Sequence, residues 1–183
     1  MDVWSELMVA VAPQDGAGSV FALAPPGDGS WREEALLEAS DGADGDAFGS
    51  SVSVGDDLAL VGAVGESSLG VGAGAAYIFA RNATNATDGS GESLRWAEAA
   101  KLLAPDGIPG ARFGHAVALA GTLAVVSAQP EDADDVPASG AVYVYEQKAD
   151  VNFSLVASVE PPDSSGSVLF GSSVAASGDA FVV

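Results

Sequence analysis

Residues 48–63 read FGSSVSVGDDLALVGA, in which two short apolar runs flank a small polar turn. The arrangement returns at 113–128 as FGHAVALAGTLAVVSA and again at 170–183 as FGSSVAASGDAFVV. Short runs rich in Val, Ala and Phe and bounded by Gly and Asp are typical of β-strands. Connections as short as VGDDL and LAGTL indicate antiparallel hairpins. Each copy therefore predicts one β-hairpin.

The repeat extends well beyond this hairpin. Phe48, Phe113 and Phe170 are separated by 65 and 57 residues. Seven residues before them stand Asp41, Asp106 and Asp163, and ten residues before those aspartates stand Trp31, Trp96 and Phe153. Several features that keep one register through three copies indicate an internal repeat.

Each full copy contains four strand-like runs. They are 48–54, 58–63, 74–81 and 94–104 in the first full copy, and 113–120, 123–128, 140–147 and 153–160 in the second. An incomplete copy supplies the runs 7–12, 18–24 and 31–39. The segment WAEAAKLLA (96–104) has the composition of a helix. Its counterpart FSLVASVE (153–160) contains β-branched residues, so a strand is predicted at both places.

The runs LALVGA (58–63) and LAVVSA (123–128) are apolar on both faces, which predicts sheets covered on both sides. Four-stranded antiparallel units that recur at intervals of about 60 residues and stack face to face describe the blades of a β-propeller. A β-sandwich is the main rival, but it would not require an in-register repeat. The predicted fold is all-β, a partial β-propeller of four-stranded antiparallel blades.

The copies also predict the domain organisation. We expect a partial blade at 1–47, blades at 48–112 and 113–169, and the start of a further blade at 170–183, all in one propeller domain. An open propeller would expose the edges and faces of its terminal blades. We therefore expect the chain to be a fragment of a longer protein, with assembly of several copies into one ring as the alternative.

Phe48-Gly49 followed by Val61-Gly62-Ala63 resembles the FG-GAP repeat of the integrin α-subunit propeller, with Val64 where proline is usual. The second copy keeps the FG pair but departs from GAP at Val126-Ser127-Ala128. The resemblance implies a propeller, typically of seven blades, with a binding role and no catalysis. The residues that it marks as repeat-defining are Phe48, Gly49, Phe113, Gly114, Phe170 and Gly171.

In the integrin-like repeat, the connection between FG and GAP is an Asp-rich calcium loop. Here it has shrunk to Gly55-Asp56-Asp57, Gly121-Thr122 and Gly178-Asp179. Calcium takes six to eight oxygen ligands, which so short a turn cannot supply. We therefore expect no cofactor. The sequence PEDADDVP contains Asp132, Asp134 and Asp135, the candidates for weak Ca²⁺ binding, although a solvated acidic loop is the favoured interpretation.

Composition excludes several classes of function. With 26 Asp and Glu against 6 Lys and Arg, the net charge of −20 opposes binding to nucleic acid. No apolar run approaches the roughly 18 residues that a membrane span needs, so no membrane insertion is expected in this segment. Cysteine is absent, which excludes disulfides and thiolate nucleophiles. The single histidine, His115, takes the place of Ser50 and Ser172 in the other copies, so we expect a turn residue and no enzyme.

The chain's three asparagines, Asn82, Asn85 and Asn152, each begin an N-x-S/T acceptor for N-glycosylation. Such an acceptor must be exposed in a secretory compartment. The polar sequence RNATNATDGSGES at 81–93 is predicted as an exposed loop. We therefore predict glycosylation and an extracellular or cell-surface location, with the signal or anchor outside this segment.

Three functional hypotheses remain open. The leading one is an extracellular, non-catalytic FG-GAP-type propeller for protein or glycan recognition and adhesion, with 64–73 and 129–139 as candidate binding loops. The alternative is an accessory propeller of a secreted hydrolase whose catalytic domain lies outside this segment. The third is an enzyme whose carboxylates, such as Asp41 or Asp46, face the propeller funnel.

Overall fold

The computed structural model describes residues 8–12, 16–24, 30–55, 57–85, 92–129, 139–149, 152–162, 169–178 and 180–183. Within these ranges all regular structure is β, and helices are absent. The thirteen strands are β1 (Met8–Ala12), β2 (Ser19–Ala24), β3 (Arg32–Leu37), β4 (Phe48–Val54), β5 (Leu58–Ala63), β6 (Ala75–Asn85), β7 (Glu92–Leu102), β8 (Phe113–Ala120), β9 (Leu123–Ala128), β10 (Ala141–Ala149), β11 (Asn152–Val159), β12 (Ala175–Ser177) and β13 (Ala180–Val182).

The strands form four antiparallel sheets in chain order. The first sheet is β1-β2-β3, the second β4-β5-β6-β7, the third β8-β9-β10-β11 and the fourth β12-β13. Each sheet is a meander in which consecutive strands are neighbours. The predicted all-β fold of four-stranded antiparallel propeller blades is therefore confirmed. Strands β4, β5, β8 and β9 begin and end at the predicted residues.

The structure corrects the loop predicted at 81–93. Strand β6 continues through Asn85 and pairs with β7 from Glu92 onward, so Asn82 and Asn85 lie in a strand. The threonine at position 84 favours extended backbone because it is β-branched. The pairing of β6 with β7 continues in the same register out to Asn85 and Glu92. Strand β7 includes Trp96, which confirms the strand that was predicted for that segment in preference to a helix.

Neighbouring sheets pack face to face through one repeated arrangement. Between the first and second sheets, Val20 and Leu37 meet the aromatic side chains of Phe48, Tyr77 and Phe79. Between the second and third, Ala76 and Leu102 take the places of Val20 and Leu37, and the rings of Phe113, Tyr143 and Tyr145 take those of Phe48, Tyr77 and Phe79. Each sheet thus presents aromatic rings to the preceding sheet. The ring centroid of Phe48 lies 5.5 Å from that of Tyr77, and that of Phe113 lies 5.4 Å from that of Tyr143, which are favourable edge-on and tilted contacts.

At each of three junctions, one glycine lies against the FG pair of the next sheet. Gly18, Gly74 and Gly140 precede the strands β2, β6 and β10, and all three have positive φ angles. A Cβ atom at Gly74 would lie 2.2 Å from the carbonyl oxygen of Phe113, and the distances at the other two glycines are 2.2 and 2.1 Å. Only glycine permits this approach, so the FG pair acts as the joint between consecutive sheets.

The third FG pair keeps the same backbone although the strand after it is short. Gly171 has a φ of 81°, close to the 91° of Gly49 and the 90° of Gly114. Regular pairing begins only at Ala175, where β12 and β13 form a two-stranded ribbon. In the part of the chain that the structure describes, no helix is long and apolar enough to cross a membrane.

Candidate functional site

The antiparallel meander gives the sheets two distinct ends. The connections 38–47, 64–74 and 103–112 lie at one end, which we call the loop end, because they link β3 to β4, β5 to β6 and β7 to β8. The β4–β5, β6–β7, β8–β9 and β10–β11 turns lie at the opposite end, the hairpin end. The predicted binding loop 64–73 is therefore at the loop end. The loop predicted at 129–139 lies almost wholly outside the described residues.

Two loops of the loop end form a single surface. The amide of Gly110 donates to the carbonyl of Val71 at 2.8 Å, and the amide of Arg112 donates to that of Gly72 at 3.1 Å. Gly70 permits close contact, because a Cβ atom there would lie 2.9 Å from Cγ of Pro109. Of these two loops, only 64–73 was predicted from the sequence as a candidate binding loop, and its partner at 103–112 was not.

A buried carboxylate organises the loop 64–74. Glu66 is only 6% exposed. Its carboxylate accepts hydrogen bonds from the amide and hydroxyl of Ser68, at 2.9 and 3.0 Å, and from Nζ of Lys101 at 3.0 Å. The hydroxyl of Ser67 accepts the amide of Gly72 at 3.0 Å. These bonds fix the loop's conformation.

Lys101 connects this loop to the preceding one. Its Nζ donates to Asp41 at 2.6 Å and lies 5.3 Å from the ring centroid of Tyr77, whose hydroxyl donates to Asp41 at 2.9 Å. The Lys101 hydrogen bond holds the pKa of Asp41 below its usual range. Partial burial works against the charge of Lys101, but its bonds to Asp41 and Glu66 outweigh burial and raise its pKa. Asp41 and Lys101 therefore form a charged pair at neutral pH.

The Asp–Tyr pair recurs at the next junction. The hydroxyl of Tyr143 donates to Asp106 at 3.1 Å, and burial followed by the nearby Asp106 charge raises the pKa of Tyr143. Asp41 and Asp106 are two of the aligned aspartates, and each follows one sheet and binds a tyrosine of the next. These aspartates therefore hold neighbouring sheets together, a role that accounts for their repetition.

Exposed apolar side chains cover the surface between the two loops. Leu69, Val71 and Ile108 are 46%, 83% and 54% exposed, and Pro109 beside them is also exposed. We call these four residues the apolar patch. At the preceding junction, Ala43 and Asp44 occupy the places of Ile108 and Pro109, counted back from the FG phenylalanine. The repeat architecture therefore does not require apolar residues at these positions.

The structure places the other predicted site residues as follows. Asp132, Asp134 and Asp135 lie outside the described residues. Asn152 is exposed at the start of β11, and Asn82 and Asn85 lie in the outer part of β6, so all three acceptors belong to the hairpin end. His115 is half-buried in β8, where burial and then the Arg112 charge lower its pKa. Among the described residues, no three His, Asp or Glu side chains are grouped to hold a metal ion.

Sequence reasoning missed the supporting residues for different reasons. Gly18, Gly74 and Gly140 keep the same place before the third strand of each copy, so their joint role had a visible signal. Glu66 and Lys101 had none, because an acidic loop residue and a strand lysine are ordinarily solvated. Their pairing depends on the approach of β7 to the loop 64–74.

The repeats match a known protein family. A search among curated proteins finds no similar sequence. The family model of the FG-GAP repeat matches residues 31–79 and 96–145, which together make up more than half of the chain. Both matches span the aligned tryptophan, the FG pair and the following strands up to the buried aromatic residues. The chain belongs to the FG-GAP repeat family.

Proposed function

We propose that this chain is a non-catalytic recognition module of an extracellular or cell-surface protein, and that its loop end contacts the partner. One observation carries the proposal: the loops 64–74 and 103–112 are hydrogen-bonded to each other, and together they present solvent-exposed apolar side chains. Rigid loops on a β scaffold are a common site of recognition. Their fixed conformation lowers the conformational entropy lost on binding.

The positions of the glycosylation acceptors support the proposal that the loop end, and not the hairpin end, contacts the partner. Asn82 stands seven residues from the start of β6, which corresponds to about 23 Å along the strand. Asn85 and Asn152 lie at the same hairpin end. Glycans attached there would leave the loop end uncovered. The two ends would then have separate roles, one carrying glycans and the other meeting the partner.

The roles of the described carboxylates favour binding over catalysis. Asp41, Glu66 and Asp106 accept hydrogen bonds that join loops and sheets. The side chain of Asp46, the other carboxylate considered for catalysis, accepts the amide of Ala43 at 2.8 Å within its own loop. A carboxylate engaged in this way has a structural task that explains its presence.

Oriented immobilisation tests the recognition role. The chain has no cysteine, so Thr122→Cys at the hairpin end and Glu38→Cys at the loop end each give a unique attachment point. Each variant is coupled to beads and used to select from a phage library of random twelve-residue peptides. We expect enrichment of binders only on Thr122→Cys beads, where the loop end is free. Equal enrichment in both orientations, or none, would contradict the proposal.

Glycosylation is tested separately in a eukaryotic secretory host. We expect an N-glycosidase to increase the electrophoretic mobility of the secreted chain. Replacing Asn82, Asn85 and Asn152 together by Gln should remove that shift. A chain whose mobility is the same before and after the enzyme would refute the predicted modification without bearing on the loop end.

A further inference from the structure

We propose that the apolar patch of Leu69, Val71, Ile108 and Pro109 binds a protein segment whose apolar side chains are flanked by Lys or Arg. This inference rests on the proposed function and names the class of partner that the loop end takes.

The patch is exposed although nothing in the fold requires apolar residues there. Val71 is 83% exposed, and Leu69 and Ile108 are about half exposed. Exposed apolar side chains grouped on one surface and rimmed by polar residues are typical of protein interaction sites. The neighbouring junction is built from the same repeat with Ala43 and Asp44 instead. The patch is therefore a property of one junction and not of the repeat.

The backbone under the patch is fixed by hydrogen bonds from both sides. The amide of Gly110 binds the carbonyl of Val71 at 2.8 Å, and the amide of Ala73 binds that of Gly70 at 2.9 Å. On the other loop, the amide of Ala111 binds the carbonyl of Ile108 at 3.1 Å. The side chains consequently project from a preformed surface, and a ligand would lose little free energy to loop ordering.

The charge around the patch selects the flanks of the partner. The three loops of the loop end carry the acidic residues Glu38, Asp41, Asp44, Asp46, Glu66 and Asp106, against the basic residue Arg112 within them and Lys101 of β7, which binds Asp41 and Glu66. Asp106 is exposed and stands two residues before Ile108. The chain as a whole carries a net charge of −20. Lys or Arg beside the apolar contact would therefore be attracted to the site, and acidic flanks would be repelled.

The side chains of the patch favour a protein over a glycan. All four are aliphatic, and none offers an aromatic ring on which a sugar could stack. A protein segment with Leu, Ile or Val side chains can instead bury aliphatic surface against them, which is favourable in proportion to the area removed from water.

Fluorescence anisotropy with two synthetic peptides tests the proposal. Both contain a central run of Leu, Val, Ile and Leu, which is flanked by lysine pairs in one peptide and by glutamate pairs in the other. We expect the lysine peptide to bind the chain at least about tenfold more tightly. Val71→Asn and Ile108→Asn should each weaken that binding about tenfold or more, because each removes apolar contact without adding charge. Val156→Asn, at a 49% exposed position on β11, is the matched control and should bind normally.

The outcomes separate this inference from the proposed function. The inference is overturned if the lysine and glutamate peptides bind equally, or if Val71→Asn and Ile108→Asn retain wild-type affinity while keeping the wild-type melting temperature. If the phage selection is orientation-dependent but the lysine peptide does not bind, the recognition role stands and the stated partner is wrong. Binding of an oligosaccharide array that Val71→Asn abolishes would replace the protein partner by a glycan.

Discussion

Asp41 is the residue whose ionisation contributes most clearly to the joining of two sheets. Its pKa is lowered by the Lys101 hydrogen bond, so folding favours the carboxylate. A lowered pKa contributes stability above the ordinary value of about 3.9, and this contribution is lost as the pH falls through the folded-state pKa. We expect Asp41→Asn to lower the free energy of unfolding by about 1 kcal/mol at pH 7, since half of the carboxylate is exposed to water.

Urea unfolding of Asp41→Asn and wild type, at neutral pH and at about pH 2, checks this expectation. The difference between the two proteins should shrink as the pH falls through the folded-state pKa of Asp41, because the wild-type carboxylate then loses its charge. Asp44→Asn, which removes an exposed carboxylate from the same loop, should change the free energy little at either pH. A difference between Asp41→Asn and wild type that persists unchanged at pH 2 would show that the ionic contact is not its cause.

Gly74 is one of the residues that permit a close approach between two sheets. Its φ is +84°, and an added Cβ would lie 2.2 Å and 2.4 Å from backbone atoms of Phe113. We expect Gly74→Ala to cost about 3 kcal/mol or more, because strain and a backbone clash combine. Gly121→Ala is the matched control: Gly121 has a φ of +54° with nothing near the added Cβ, so only the strain of about 1 kcal/mol remains. Equal losses in chemical denaturation would show that the contact with Phe113 is unimportant.

At the scale of the strand pair, the first hairpins of the two full blades each place one serine hydroxyl between their two strands, but the serine lies on opposite strands in the two copies. In β4 and β5, Ser51 lies opposite Gly62, and its hydroxyl donates to the carbonyl of Gly114 at 2.7 Å. In β8 and β9 the counterparts are Ala116 and Ser127, and the amide of Ala116 donates to the hydroxyl of Ser127 at 2.9 Å. The hydroxyl has moved to the other strand. A Cβ at Gly62 would lie 2.4 Å from the Ser51 hydroxyl, so the site has room for only one of them.

This exchange predicts a coupled pair of substitutions. Ser127→Gly should destabilise by about 1–2 kcal/mol, since it removes the hydrogen bond from the partly buried amide of Ala116. Ala116→Ser should also destabilise, because its hydroxyl would crowd Ser127. The double variant recreates the arrangement of the first copy, and we expect it to recover about 1 kcal/mol or more relative to the sum of the single losses. Additive losses in a double-mutant cycle of melting curves would contradict the exchange.

The elements also show how far one sequence predicts this fold. Runs such as LALVGA and LAVVSA have an unambiguous apolar pattern between tight turns, and β5 and β9 begin and end where predicted. The outer part of β6 was wrongly predicted as a loop, because Asn and Thr are common in loops. Only its pairing with β7 shows that this segment is a strand. The apolar patch was also hidden, since the exposure of Ile108 depends on which loop lies beside it. Local pattern fixes strands, whereas contacts between loops depend on the packing of whole sheets.

At the scale of the whole molecule, the shortened FG–GAP connections predict independence from calcium. The turns between the first two strands of the full blades span only a few residues, and the described ones contribute no cluster of three metal ligands. Calcium binds six to eight oxygens, so these turns should not hold it. We expect the melting temperature to be the same with millimolar calcium and with excess chelator. A large drop on chelation would place a stabilising ion elsewhere in the chain.

The net charge of −20 should make salt act on stability and on binding in opposite directions. Like charges on a compact chain repel one another, and added salt screens them, with a screening length of about 10 Å at 0.1 M. We therefore expect sodium chloride to raise the melting temperature while it weakens binding of the lysine-flanked peptide, since that attraction is screened as well. Removing two exposed carboxylates away from the patch, by Glu33→Gln and Asp57→Asn, should raise the melting temperature at low salt and flatten its salt dependence. Because these residues lie outside the loop end, the variant should keep most of the peptide affinity, and a melting temperature that falls with salt in both proteins would show that ion pairs such as Arg81–Glu34 outweigh the repulsion.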